Sequence, residues 1–134
     1  MKTEDFLAAN PFLTLIVHIF WKPGEIMGHS LGEIEQLVLL ALLRLGDEGY
    51  GIAVQREIES KAGRAVTLGA IYSTLIRLEE KGFLASHVGE PSPVRGGRRK
   101  KLYDVQPAGR EALSDALGAL RALSHGLSPA LDLQ

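Results

Sequence analysis

The chain has 134 residues, of which 46% are hydrophobic and 23% charged, which suits one globular domain with a real core and leaves little room for two. It contains no cysteine, so disulfides and thiolate metal sites are excluded and nothing follows about redox compartment. The net charge of −1 conceals a segregation: residues 1–50 hold three basic and seven acidic side chains, residues 51–110 eleven and six, and residues 111–134 one and three, so a polyanion could be met locally by the middle of the chain.

Residues 1–30 read as an N-terminal extension. Phe12 to Trp21 is an apolar run, but about ten residues is half of the ~20 needed to span a bilayer. It has neither a strongly basic lead-in nor a small-residue cleavage site, which argues against a signal peptide. It is expected to be a short helix covering apolar surface. A complete domain begins just after Met27, so a start at Met27, with residues 1–26 as an upstream extension, is a second reading.

Residues 31–46 form the first expected helix. Ile34, Leu37, Val38, Leu40, Leu42, Leu43 and Leu45 are apolar on nearly all sides, as in a core helix that also serves as a dimer contact. Glu33, Glu35 and Gln36 keep its first turn polar, which suits the helix dipole, and Gly46 is a natural stop. A turn follows at Asp47 to Tyr50, with Tyr50 packed on the core. The second helix spans 51–62, with Ile52, Val54 and Ile58 inward and Gly63 as its end. The third, 67–81, takes Thr67 as N-cap and buries Leu68, Ile71, Leu75 and Leu78. Its other face carries Gly69, Ser73, Arg77 and Glu80. Two helices joined by a short glycine-containing turn make a helix-turn-helix.

Gly82 ends the third helix and the period changes. Residues 83–89 and 100–106 alternate as strands around a Pro/Gly loop, "PSPVRGGRRK", which predicts a hairpin. Residues 107–126 are a closing helix with Leu113, Leu117, Leu120, Leu123 and Leu127 on one side, broadened by Ala112, Ala116, Ala119 and Ala122. Three helices, a hairpin and a helix describe a mainly α winged helix-turn-helix. The domain reading is therefore 1–30 extension, 31–106 winged helix-turn-helix domain, 107–127 closing helix and 128–134 tail. The closing leucine face is wider than one hairpin and three helices can cover, so it is expected to pack on a second copy and on that copy's first helix.

Catalysis finds no support. His18, His29, His87 and His125 lie in four separate segments with no His-x-x-x-His pair, so no zinc site is expected. "GYG" follows a helix and lacks a third glycine, so it is no dinucleotide loop. The acidic pairs Asp47-Glu48 and Glu79-Glu80 read as solvated charge. No cofactor is called for.

The basic loop is different. Arg95, Arg98, Arg99, Lys100 and Lys101 face a single acid, Glu90, between Gly89 and Leu102. A charge run by itself is usually a solvated loop. Placed in a hairpin directly after a helix-turn-helix it becomes a wing, where cations neutralise phosphates and release counterions. The third helix would then enter the major groove of double-stranded DNA by its N-terminal part. Gly69, Ala70 and Ser73 keep the approach narrow, and Thr67 with the helix N-terminus meets a phosphate. Arg77 has two readings of equal weight: a phosphate or base contact, or an intrahelical pair with Glu80 and its neighbours.

These residues resemble the PadR-like winged-helix transcriptional regulators over roughly Leu31 to Leu113. The likeness lies in "LVLLALLRLG", "GYGI", "LGAIYSTLIRLEEKGFL", the wing ending in "LYDV", and "AGREAL", in that order and spacing. The resemblance implies a dimeric DNA-binding repressor, with or without a small-molecule effector. A homodimer with two recognition helices about one helical turn apart would read a roughly palindromic site, and a cytoplasmic location is expected. It also implies that Tyr72 and the wing face DNA. Ser73 stands where the family commonly has proline, and Gln106 where threonine is usual. The short C-terminal part resembles the branch with one dimerisation helix. The closing helix has no tryptophan, so an aromatic pore at a dimer centre is not expected. A winged-helix module for protein–protein contact, without DNA, is the alternative.

Overall fold

The structure is a computed structural model, described over residues 30–91 and 99–132 and at Pro11. The expectations for Phe12–Trp21, Met27, Arg95 and Arg98 fall outside the described residues. Leu31–Gln134 forms one compact unit.

Helix α1, Glu33–Leu45, buries Val38, Leu39, Ala41 and Leu42 and is the element that α2, α3, β2 and α4 all pack against. Its start is fixed by Glu35, an acid that the sequence alone places in a polar first turn. Glu35 is 7% exposed; its Oε1 accepts the Gly32 N–H at 3.1 Å, and its Oε2 accepts from Lys81 Nζ at 2.7 Å. Gly46 leaves the helix at φ +58, as expected, into a 3-10 turn at Gly46–Glu48.

Helix α2 spans Gly51–Ala62, as predicted, and ends at Gly63 in the left-handed conformation. Val54 and Ile58 point inward, but Ile52 is 39% exposed, a correction to its predicted place in the core. Ile52 precedes Val54 by two positions, which puts the two on different sides of a helix.

Helix α3, Leu68–Glu80, is capped by Thr67, whose Oγ1 accepts the Ala70 N–H at 3.1 Å. Ile71, Leu75 and Leu78 are fully buried, while Leu68 is half-buried. The helix ends in a Schellman turn. Phe83 N–H donates to Leu78 O (2.9 Å) and Gly82 N–H to Glu79 O (3.0 Å), which needs the left-handed φ of +79 at Gly82.

Strands β1, Leu84–Pro91, and β2, Arg99–Val105, pair antiparallel with Leu84 opposite Val105 and Val88 opposite Lys101. The register shifts between Val88 and Pro91. Tyr103 N–H donates to Gly49 O at 2.9 Å, which ties the wing to the turn before α2. Between α3 and β1, Glu79 accepts from Ser86 Oγ at 2.9 Å, so it is not simply solvated charge. His87 Nδ1 lies 3.1 Å from Asp104 Oδ2 in an exposed pair.

Helix α4, Pro107–Ser124, begins with proline, which needs no N–H partner there. Gly109 lies so close to Phe83 that a Cβ would fall 2.5 Å from the Phe83 carbonyl oxygen. The expected tail at 128–134 instead begins with a short helix, α5, Ser128–Leu131. None of the described helices is long and apolar enough to cross a membrane.

Candidate nucleic-acid interface

The 3.6-residue period of α3 separates its two faces cleanly. With Ile71, Leu75 and Leu78 turned into the core, the outward row is Gly69, Tyr72, Ser73, Ile76, Arg77 and Glu80, all exposed. Thr67 at the cap is exposed and Ala70 is half-buried. A Cβ at Gly69 would meet nothing within 4 Å, so the entrance to this face is open. Ser73 Oγ donates to Ala70 O at 3.2 Å, and Thr74 Oγ1 to the same oxygen at 2.7 Å. Thr74 is 1% exposed, so this bond satisfies a buried hydroxyl.

Arg77 is exposed, and its Nη2 donates to Thr74 Oγ1 at 3.3 Å. That bond is intrahelical but goes to Thr74 and not to Glu80, and it leaves most of the guanidinium donors open. Tyr72 is 42% exposed. The tip of its ring lies over Gly51, where a Cβ would come within 2.6 Å of Cε1. The glycine that starts α2 therefore makes room for an aromatic ring on the outward face of α3.

The described wing cations Arg99, Lys100 and Lys101 are exposed on β2. Lys100 Nζ stands 4.1 Å from the centre of the half-buried Tyr50 ring. This cation–π contact gives Tyr50 a second role beside the core packing expected of it. Lys101 Nζ is 5.5 Å from the Tyr103 ring. A shallow groove lined by Ile76, Glu79, Glu80 and Lys101 joins the outer end of α3 to β2. Helix and wing thus contribute to one continuous surface with cations on the wing side.

Glu35 joins the start of α1 to the end of α3. Burial by itself would raise its pKa, but the hydrogen bonds from Lys81 and the Gly32 backbone, with the charges of Lys81 and Arg77, outweigh that effect and hold it below the ordinary value. A buried carboxylate at the start of α1 therefore anchors the C-terminal end of α3.

On α4 the leucine row divides. Leu113 is 3% exposed and belongs to the core of its own chain, which corrects its place in an open dimerisation face. Leu117 is half-buried against that core. Leu120 and Leu123 are exposed, at 57% and 81%. Leu127, expected on the same helix, is 46% exposed but lies beyond its end at Ser124, after a turn at Gly126 with φ +80.

The model of the transcriptional regulator PadR-like family matches residues 39–115. The chain belongs to that family. This PadR-like protein is 37% identical over 79 residues to the transcriptional regulator Rv3488 of Mycobacterium tuberculosis, covering 59% of this chain and 69% of that one. Among solved structures it is similar to a PadR family transcription regulator from Clostridium difficile R20291, with a TM-score of 0.62, 24% identity, and 75% and 99% of the two chains covered. It is also similar to a transcriptional regulator from Clostridium thermocellum, with a TM-score of 0.57, 23% identity, and coverage of 67% and 84%. These two structures share its fold. The PadR-like protein is thus a transcriptional regulator with a winged-helix fold. Among its described residues no group of His, Cys, Asp and Glu could hold a metal ion.

Proposed function

We propose that this PadR-like protein binds double-stranded DNA sequence-specifically as a homodimer and represses transcription from a roughly palindromic operator. The observation that carries the DNA reading is the single surface formed by the outward row of α3 and the exposed wing cations. In this reading α3 enters the major groove, Thr67 and the helix N-terminus meet a phosphate, and Arg77 reaches a phosphate or a guanine edge. Repression and release by a small-molecule effector rest on family resemblance alone. A protein–protein module would leave the wing cations without a role, which favours DNA.

A footprint on the DNA upstream of the protein's own gene tests binding. The wing is tested by the Arg99→Ala/Lys100→Ala/Lys101→Ala variant. Its affinity should fall for all sequences, and the slope of log K against log salt should flatten by about one unit for each phosphate that is no longer neutralised. An unchanged slope refutes the wing's role.

The dimer reading is supported by two apolar surfaces that the described residues of one chain leave open. Leu120 and Leu123 project from α4, with Leu127 exposed just beyond its end, and a groove of about 380 Å³ opens between α1 and α2, lined by Leu37, Leu40, Leu43 and Ile58 among others. A two-fold partner would cover both, with its α4 on this chain's α1. Light scattering should give a dimer for the native chain and a monomer for Leu120→Glu/Leu123→Glu, which alters only exposed positions. A native monomer at micromolar concentration that still binds DNA tightly would refute the dimer.

A further inference from the structure

Ile76 stands on the outward face of α3, where an aliphatic residue is not expected. It lies four residues after Tyr72 and just before Arg77, and it is 55% exposed. The core does not need it, since Ile71, Leu75 and Leu78 already fill the inner face at 0% exposure. A branched aliphatic side chain held in water on an otherwise polar row gains nothing from that position. Its surroundings are charged and of mixed sign: Arg77 follows it, and the groove it lines also carries Lys101, Glu79 and Glu80. Of the two neighbouring acids, Glu79 is engaged by Ser86.

An apolar side chain held exposed on the outward row of α3, the face that would meet DNA, suits an apolar group on a base edge. In the major groove that group is the C5-methyl of thymine. We infer that Ile76 is a specificity-determining residue that selects thymine by apolar contact with its methyl group. The inference rests on the DNA-binding reading and deepens it, because Arg77 and the wing cations cannot make this distinction between thymine and uracil.

The test begins with a duplex selected by the native protein from a random pool. Each thymine is then replaced in turn by deoxyuridine, which lacks only the methyl. Native protein should lose about fourfold in affinity at one or two positions per half-site, the equivalent of leaving one methyl group unburied. Ile76→Ala, at an exposed site, should keep its thermal midpoint and bind the thymine and deoxyuridine duplexes equally. A native protein indifferent to every replacement overturns the inference, and so does an Ile76→Ala variant that keeps the full thymine preference. If no duplex is enriched at all, the DNA-binding reading itself fails, and the inference fails with it.

Discussion

Replacing Lys81 by alanine is expected to destabilise the fold by about 2–3 kcal/mol, measured by denaturant unfolding. Removing one partner of a fully buried pair costs roughly 3–5 kcal/mol, because the remaining charge is left desolvated. The side chain of Glu35 is 10% exposed and that of Lys81 31%, so solvent reaches one partner and the cost falls below that range. Glu35 also caps α1 through Gly32, so the stranded carboxylate would keep one hydrogen bond and lose the other. The effect depends on pH in one direction. The Glu35 pKa is lower in the folded chain than its ordinary value of 4.5, so the unfolded chain takes up the proton first as pH falls. The contribution is complete above about that ordinary value and is lost as pH drops through the folded value. Glu35→Gln keeps an acceptor for Gly32 and abolishes the charge; its acid unfolding limb should be shallower than that of the native chain. Identical acid limbs in the two proteins would remove Glu35 from the account of stability.

Gly109→Ala is expected to cost at least about 2 kcal/mol, in the upper part of the roughly 1–3 kcal/mol typical of overpacked sites. The new Cβ would lie 2.5 Å from the Phe83 carbonyl oxygen, and that oxygen already accepts the Gln106 N–H at 2.9 Å. Backbone, not a flexible side-chain end, would have to move, and with it the joint between α3, β1 and α4. Gly118, on the same helix, has nothing within 4 Å of the corresponding position. Gly118→Ala should therefore stabilise by up to about 1 kcal/mol through helix propensity. Equal effects at the two glycines would show that the close approach at Phe83 is not what constrains the site.

What is legible in the sequence is local. The bounds of α2 at Gly51–Ala62 can be read because Gly63 ends that helix, and the change of period at Gly82 marks both the end of α3 and the start of the wing. The Thr67 cap is visible for the same reason, since its partner is three residues away. Glu35 is not legible as a buried acid because its partner Lys81 is 46 positions distant, and nothing near Glu35 in sequence announces the ion pair. Leu113 looks like the rest of its leucine row. Only the packing of α4 on the body of the domain separates it from Leu120 and Leu123. Ile76 escapes a reading by pattern because an aliphatic residue in a leucine-rich helix suggests core, and its exposure depends on which neighbours fill the inner face first.

The central place of α1 also bears on how the chain is made. It is the earliest of the described helices to leave the ribosome, and the described elements that pack on it come later in the chain. Thirty-five residues separate Leu45 from Glu80, where α3 ends. At translation speeds of roughly 5–20 residues per second, α1 would wait about 2–7 s before α3 could pack on it. During that interval the nascent chain is a natural client for a holding chaperone. A slow codon run between α1 and α3 would lengthen its exposure, whereas one placed after Glu80 would leave time for the three helices to close together first.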